Sequence, residues 1–361
     1  MENLNFFIFC LLSIINITIK GNNNFFKDYM ALENTSPIKG IFVWLIIMSH
    51  YRGYYKTKKI YICYKIISYF GQKMVSLFLF YSGYGIIESI KKKGINYTKT
   101  LPIKSLILFI KYQLILLIFL LNNILLGKKF NFKNYFLSVI FKQSLGNSNW
   151  FAYTIIFLYL YSFLSFGLIN NKKNLFFGII FINIISYCHF YFTYNYFYPK
   201  STYCVDNILC FIIGIYYSLL KQYLDTIFMK NDVLYFGNIS LIIAIYYYFY
   251  SLKNRNIYII SLTNCFFSLI TILISMKIRF KNEFLLFLNI HSYSIYLLQR
   301  AIMMYVFHNQ YFKNSEFIRF NFIFVSILFI SNIFDNYTSF IDVILKKKKI
   351  SEDKIINNSL K

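Results

Sequence analysis

Long apolar stretches follow one another along the whole chain and are separated by short polar segments. Most of these stretches are close to the roughly 20 residues that a helix needs to cross the hydrocarbon core of a membrane. They are continuous and lack the alternation of a membrane β-barrel strand, so they predict an all-α, polytopic integral membrane protein. The eleven candidate spans are residues 4–19, 40–55, 62–90, 103–126, 150–169, 174–194, 205–220, 233–250, 257–276, 284–308 and 317–341.

Two stretches need a separate interpretation. Residues 4–19 have neither a basic segment before them nor a small-residue cleavage site after them, which favours a retained helix over a secretory signal peptide. The amphipathic stretch at residues 135–145 is too short to cross a membrane, so it predicts a re-entrant or interfacial piece before Trp150.

Composition supports the membrane class, because only 14% of the residues are charged, against about 25% in soluble domains. The formal net charge of +25 is dispersed over the loops. This dispersion predicts anionic membrane lipids as partners and argues against nucleic acid. The six cysteines are scattered without the spacing of metal ligands, so neither a metal site nor a permanently bound cofactor is predicted.

Lysine and arginine counts predict the orientation in the cell membrane. One alternate set of connecting segments contains 21 basic residues and consists of residues 20–39, 91–104, 170–174, 221–232, 277–283 and 346–361. The other set contains 13 and consists of residues 51–65, 127–149, 195–204, 251–256 and 309–316. Because cytoplasmic loops are richer in basic residues, we expect the N-terminus outside and the C-terminus in the cytoplasm. The predicted organisation is an extra N-terminal helix and link (1–34), one membrane domain (35–345) and a basic cytoplasmic tail (346–361).

The segment "KGIFVWLIIMSH" places Lys39 and His50 in one apolar helix. Eleven helical steps total about 1100°, roughly 20° beyond three full turns, so both side chains lie on one face, about 16 Å apart along the axis. A histidine can act as a general base near neutral pH. The alternative is that His50 only caps the outer end of its span.

Other ionisable residues within spans mark either a functional site or a buried pairing. They are Lys73, Glu88, Lys111, His189, Asp206, His291, Arg300, His308 and Asp335. Nucleophile elbows, zinc-binding helix motifs, Walker loops and dinucleotide fingerprints do not occur in the sequence.

Several segments, in order, resemble the membrane-bound acyltransferase-3 family over residues 35–310. "KGIFVWLIIMSH" resembles the family's basic residue, ten residues and histidine. "LFLFYSGYGIIESIKKKG" is similar to its "FFFLSGYG" helix and basic loop, and "NWFAYTIIFLYLYSFLSF" to its "WF-x-Y" segment. "CFIIGIYYSLLK" and "NIHSYSIYLLQRAI" resemble its "F-x-x-G" and "iGk-S-iYLLh" patterns.

This resemblance implies a ten-helix core plus one leading helix, and an O-acyltransferase that uses acyl-CoA, with acetyl-CoA favoured, to modify cell-surface or lipid-linked carbohydrate. His50 falls on the family's essential histidine and would assist as a base, while Lys39 and Lys73 would bind the donor. The residues implied to line the substrate cavity are Ser82, Gly83, Tyr84 and Trp150.

Local patterns leave alternatives open. Gly83 lies in an apolar helix, where glycine usually permits close helix packing, and Trp150 is also typical of an interfacial aromatic residue. Gln299 stands where the family often has histidine. A polysaccharide polymerase or flippase is the competing function, although the longest predicted external connection is only about 23 residues and no internal repeat is evident. A non-catalytic scaffold would leave the ordered motifs unexplained.

Overall fold

A computed structural model describes residues 2–54, 71, 73–129, 131–167, 175–199, 201, 204–252 and 256–359. Its α-helices are α1 (Glu2–Ile14), α2 (Leu32–Tyr54), α3 (Lys73–Lys93), α4 (Leu101–Leu125), α5 (Phe132–Val139), α6 (Asn149–Gly167), α7 (Leu175–Phe192), α8 (Ile208–Phe228), α9 (Asp232–Leu252), α10 (Ile257–Ser275), α11 (Glu283–Ile290), α12 (Ser292–His308) and α13 (Glu316–Ser359). A 3-10 helix (Ile95–Thr100), a π-helix (Thr193–Phe197) and strands β1 (Ile17–Ile19) and β2 (Ile278–Phe280) complete the described elements. The all-α prediction is confirmed.

Seven helical segments in the described part are long and apolar enough to cross a membrane, which indicates a multi-pass membrane protein. They are Ile95–Leu125, Asn149–Gly167, Leu175–Phe197, Ile208–Phe228, Asp232–Leu252, Ile257–Ser275 and Glu316–Leu345. Helices α2 and α3 are also long enough to cross a membrane, but their sequences are more polar than those of the seven segments. The predicted span 284–308 is broken at His291, which separates α11 from α12.

The predicted helix over residues 4–19 is wrong at its C-terminal end. Helix α1 has 13 residues and is only about 20 Å long, less than the roughly 30 Å of hydrocarbon. Asn16 adopts a positive φ of 61°, which stops the helix. The β-branched residues of β1 then pair antiparallel with β2, with Thr18 opposite Arg279. The first part of the predicted span 62–90 lies outside the described residues.

One end of the helix bundle, which we call the strand end, contains β1, β2 and the segments around Asp28 and Asp232. Arg279 forms an ion pair with Asp28, and Lys277 forms one with Asp232. The Asp232 backbone N–H also donates to Asn23 Oδ1 at 2.7 Å. These contacts join segments that the basic-residue count assigned to one side of the membrane.

The opposite end, which we call the α5 end, contains the short amphipathic helix α5. Its eight residues are too few to cross a membrane, in agreement with the sequence prediction. Asn149 Nδ2 donates to the Phe141 carbonyl oxygen at 2.9 Å, and the Tyr198 hydroxyl donates to the same oxygen. The connecting segments that meet at the α5 end are therefore different from those that meet at the strand end.

Helices α3 and α8 pack with their backbones in close contact. A Cβ atom on Gly83 would lie 2.1 Å from the Phe211 carbonyl oxygen, and one on Gly214 would lie 2.1 Å from that of Phe80. The close packing indicated by the sequence is therefore present at Gly83. Helix α3 of this pair also lines the cavity described next.

Candidate functional site

A cavity of about 540 Å³, here called the Lys39 cavity, lies among α2, α3, α4, α6 and α12. Most of its wall is apolar or aromatic and a few polar groups point to it, a combination typical of ligand sites. Its lining residues are Leu32, Lys39, Val43, Ile46, Val75, Phe78, Tyr81, Ser82, Gly85, Ile86, Ser89, Tyr97, Lys104, Leu108, Phe151, Ile155, Tyr159, Asn289, Ser292, Tyr293, Ile295, Tyr296 and Gln299.

Lys39 lies at one mouth of this cavity. It is followed on the same face of α2 by Val43 and Ile46, because steps of four and three residues return to one side of a helix. The Lys39 ammonium lies 5.1 Å from the centroid of the Tyr81 ring. Among the described residues, no carboxylate lies within ion-pair distance of it. Lys39 is therefore a half-buried cation placed to meet an anionic ligand.

A second cavity of about 400 Å³, here called the vestibule, continues from Lys39 toward the strand end. The residues shared by the Lys39 cavity and the vestibule are Leu32, Lys39, Tyr81, Gly85 and Ser89. Lys27, Lys92 and Lys221 add positive charge to the vestibule, and Asp28 and Glu88 add negative charge. Lys39 consequently stands at the junction of a charged entrance and a mostly apolar interior.

Asp28 is an acidic residue of the vestibule, and its ion pair with Arg279 at the strand end holds it in place. Burial raises the pKa of its carboxyl, but the hydrogen bond from Asn34 and the charge of Arg279 lower that pKa more. The net result is a pKa below the usual value, so Asp28 is ionised at neutral pH. The paired charge of Asp28 leaves Lys27 and Lys92 to dominate the electrostatics of the entrance.

His50 adjoins the far end of the Lys39 cavity through Tyr296. The ring centroids of His50 and Tyr296 are 6.3 Å apart, with the ring planes at 72°. Tyr296 lines the cavity, whereas His50 lies behind that ring and within electrostatic range of Arg300. The predicted shared face is consistent with this arrangement, because Lys39 marks one end of the cavity and His50 adjoins the other.

Gln299 presents an unsatisfied polar atom at the same end. Its side chain is fully buried, and its Nε2 donates to the Tyr296 carbonyl oxygen at 3.0 Å. Within the described part of the chain, its Oε1 has no hydrogen-bond partner. A buried acceptor without a partner is costly, so this oxygen is suited to a hydroxyl or N–H group of a ligand in the cavity.

The other predicted site residues each occupy a different environment. Lys73 is buried and donates to the Tyr246 hydroxyl at 2.5 Å, with the Tyr250 ring centroid 4.3 Å away, so it lies apart from the Lys39 cavity. Ser82 lines that cavity, whereas Tyr84 lines the vestibule. Trp150 lies behind the cavity wall, 6.4 Å from the Tyr296 ring. Gly83 belongs to the helix contact with α8.

The sequence predicted neither Tyr296 as a cavity residue nor a role for Gln299. Both belong to the segment "NIHSYSIYLLQRAI", but which of its positions face the cavity depends on the placement of α12. The ionisable residues His291 and Asp335 form a partly buried pair instead, with Nδ1 and Oδ2 2.7 Å apart. No cluster of three or more potential metal ligands occurs among the described residues.

Comparison with known proteins gives no relatives for this chain. No family model, no curated protein and no solved structure matches it. The Lys39 cavity and its neighbouring residues are therefore the basis for a functional interpretation.

Proposed function

We propose that the protein transfers an acyl group, most simply acetyl, from cytoplasmic acyl-CoA to a hydroxyl of a cell-surface or lipid-linked carbohydrate. The observation that carries this proposal is the cavity that leads from Lys39 to Tyr296, immediately beside His50. It supports the roles that the resemblance to the membrane-bound acyltransferase-3 family implies. Helices α2–α4 and α6–α13, with α11 and α12 counted as one broken span, would form the ten-helix core.

The donor would enter from the strand end. Its phosphate groups would lie near Lys39 and the vestibule residues Lys27 and Lys92, because clustered ammonium groups attract phosphates. The uncharged arm of the coenzyme would extend along the largely apolar Lys39 cavity and bring the thioester toward Tyr296. Lys73 is already engaged by Tyr246 and Tyr250, so we place the donor role on Lys39.

In the proposed reaction, the acceptor hydroxyl attacks the thioester carbonyl carbon while His50 removes the hydroxyl proton. The new C–O bond forms as the C–S bond breaks. The proton then passes from His50 to the departing coenzyme thiolate, so the products are the acylated sugar and free CoA. Tyr296 separates His50 from the cavity, so its ring must move aside for His50 to reach the acceptor hydroxyl.

The test is acyl transfer by purified protein in lipid vesicles, with radiolabelled acetyl-CoA and cell-envelope carbohydrate as substrates. We expect His50→Ala to lower the rate at least about 100-fold, the usual contribution of a positioned base. His308→Ala is the matched control, because this histidine is exposed at the end of α12. Lys39→Met should raise the KM for the donor, and Lys39→Arg should restore much of the affinity.

Full transfer activity in His50→Ala would contradict the mechanism. A protein that leaves acetyl-CoA unchanged but elongates or translocates lipid-linked glycan in the same vesicles would instead be a polymerase or flippase. These outcomes are distinguished by measuring free CoA and the acyl content of the glycan in the same samples.

A further inference from the structure

A separate cavity of about 520 Å³, here called the His189 cavity, lies on the other side of α6. Tyr153, Phe157 and Tyr161 line it at intervals of four residues. The residue two positions before each of them lines the Lys39 cavity. Two helical steps rotate by about 200°, so the aromatic residues of α6 form parts of two cavities on nearly opposite faces.

His189 is the polar group of this cavity. Its side chain is 5% exposed, and its ring lies 5.1 Å from that of Tyr153 and 5.6 Å from that of Phe157. His189 Nδ1 is hydrogen-bonded to the Tyr161 hydroxyl at 2.9 Å. Within the described residues, its Nε2 is buried without a hydrogen-bond partner. The acyl-transfer proposal gives this imidazole no role.

The cavity opens at the surface of the helix bundle near the α5 end. Cys188 and Phe192 line it and are exposed on the surface of α7. The adjoining helix α5 is amphipathic and exposes Phe132 and Phe136, as expected for a helix at the boundary between lipid headgroups and acyl chains. A membrane with α5 at this boundary would therefore place the mouth of the His189 cavity at the same depth.

The π-helix Thr193–Phe197 helps to shape the cavity. Phe197 stacks on Tyr153 with the ring centroids 4.9 Å apart, and the Tyr153 hydroxyl is hydrogen-bonded to Thr193 at 3.2 Å. An interrupted α-helix is often found at a functional site, because it moves side chains away from the regular helical positions. Here the interruption forms an aromatic wall beside the unpartnered imidazole nitrogen.

We propose that the His189 cavity binds one acyl chain of a membrane phospholipid and that the ester carbonyl oxygen of that chain accepts a hydrogen bond from His189. In this arrangement the Tyr161 hydroxyl would donate to Nδ1 and the imidazole proton would be on Nε2, where it meets the carbonyl. The described lining residues include no lysine, arginine or carboxylate, so the site recognises the chain and its ester rather than a charged headgroup.

The experiment uses the purified full-length protein in nanodiscs with photoreactive phosphatidylcholine. One probe is a diester and the other is the corresponding diether without a carbonyl, and each has a diazirine in the acyl or alkyl chain. Cross-links are located by peptide mass spectrometry. We expect the diester to label Phe157 about fivefold to tenfold more than the diether, because the loss of one hydrogen bond weakens binding by about this factor.

His189→Phe keeps the cavity aromatic but removes the donor, so it should abolish the preference for the diester at Phe157. Phe181→Leu is the matched control, because Phe181 is 44% exposed on the same helix and lies away from the lining. It should leave the preference intact. Equal labelling of Phe157 by the diester and the diether in the unaltered protein would overturn the proposal, a result that does not depend on the folding of any variant.

Discussion

Polar residues inside the bundle are of two kinds. His291 Nδ1 and Asp335 Oδ2 lie 2.7 Å apart, so the presence of these two residues in apolar helices has a structural reason. Gln299 instead keeps a buried polar atom without a partner in the described part of the chain. Because such an atom is costly, a ligand group that donates to it would complete the hydrogen bonding.

Gln299→Met should therefore change stability and function in opposite directions. Methionine has a similar size and removes the unsatisfied oxygen, so we expect the free energy of unfolding to rise by about 1 kcal/mol. The KM for the substrate that contacts this position should increase about tenfold for the same loss of one hydrogen bond. Thermal denaturation in detergent and steady-state acyl transfer measure the two effects.

Gln222→Met is the control for this substitution, because Gln222 is exposed on α8 and should change neither quantity. A Gln299→Met protein with lower stability and unaltered kinetics would show that the side chain is only a packing element. The prediction at Gln299 would then be contradicted.

At the scale of elements, local apolar patterns predicted the long helices well. The expected stretches 150–169 and 257–276 correspond to helices Asn149–Gly167 and Ile257–Ser275. The places where the predicted helices are wrong depend on contacts between distant parts of the chain, which a local sequence pattern does not contain. Residues after Asn16 leave the helix to pair with β2, which lies more than 250 positions later, and the predicted span 284–308 is interrupted at His291.

The relative positions of candidate-site residues could be predicted from the sequence only where those residues lie on the same helix. Lys39 and His50 share a face of α2 by helical arithmetic, and both adjoin the Lys39 cavity. Tyr296 and Gln299 line the cavity because α12 packs beside α2, a contact that no local sequence pattern indicates. Gly83 was assigned to the cavity from its motif, but helix packing determines its position.

Gly83→Ala should weaken the contact between α3 and α8. The new methyl group would lie 2.1 Å from the Phe211 carbonyl oxygen, so the helix backbones must move apart. Overpacking of this kind costs about 1–3 kcal/mol, and we expect a clear decrease in the thermal denaturation midpoint. Gly237→Ala in α9 is the matched control, because nothing lies within 4 Å of its added Cβ. An equal effect of the two substitutions would exclude close packing as the role of Gly83.

At the scale of the whole molecule, segments brought together at each end agree with the division made by counting basic residues. Segments 20–39, 221–232 and 277–283 meet at the strand end through ion pairs and the short sheet. Segments 127–149 and 195–204 meet at the α5 end. Because the strand-end set is the more basic one, positive-inside topology predicts that the vestibule faces the cytoplasm, where acyl-CoA is available.

Cysteine labelling tests this topology with Lys27→Cys, Lys92→Cys and Lys142→Cys, whose parent residues are all exposed. In intact cells, a membrane-impermeant maleimide should label Lys142→Cys, whereas Lys27→Cys and Lys92→Cys should react only after permeabilisation. The unsubstituted protein gives the background labelling from Cys188, which is exposed.

The reverse labelling pattern would invert the predicted membrane orientation but leave the fold unchanged. Labelling of Lys27→Cys and Lys142→Cys from one side would instead contradict the separation of the strand end from the α5 end, and with it the path proposed for the donor.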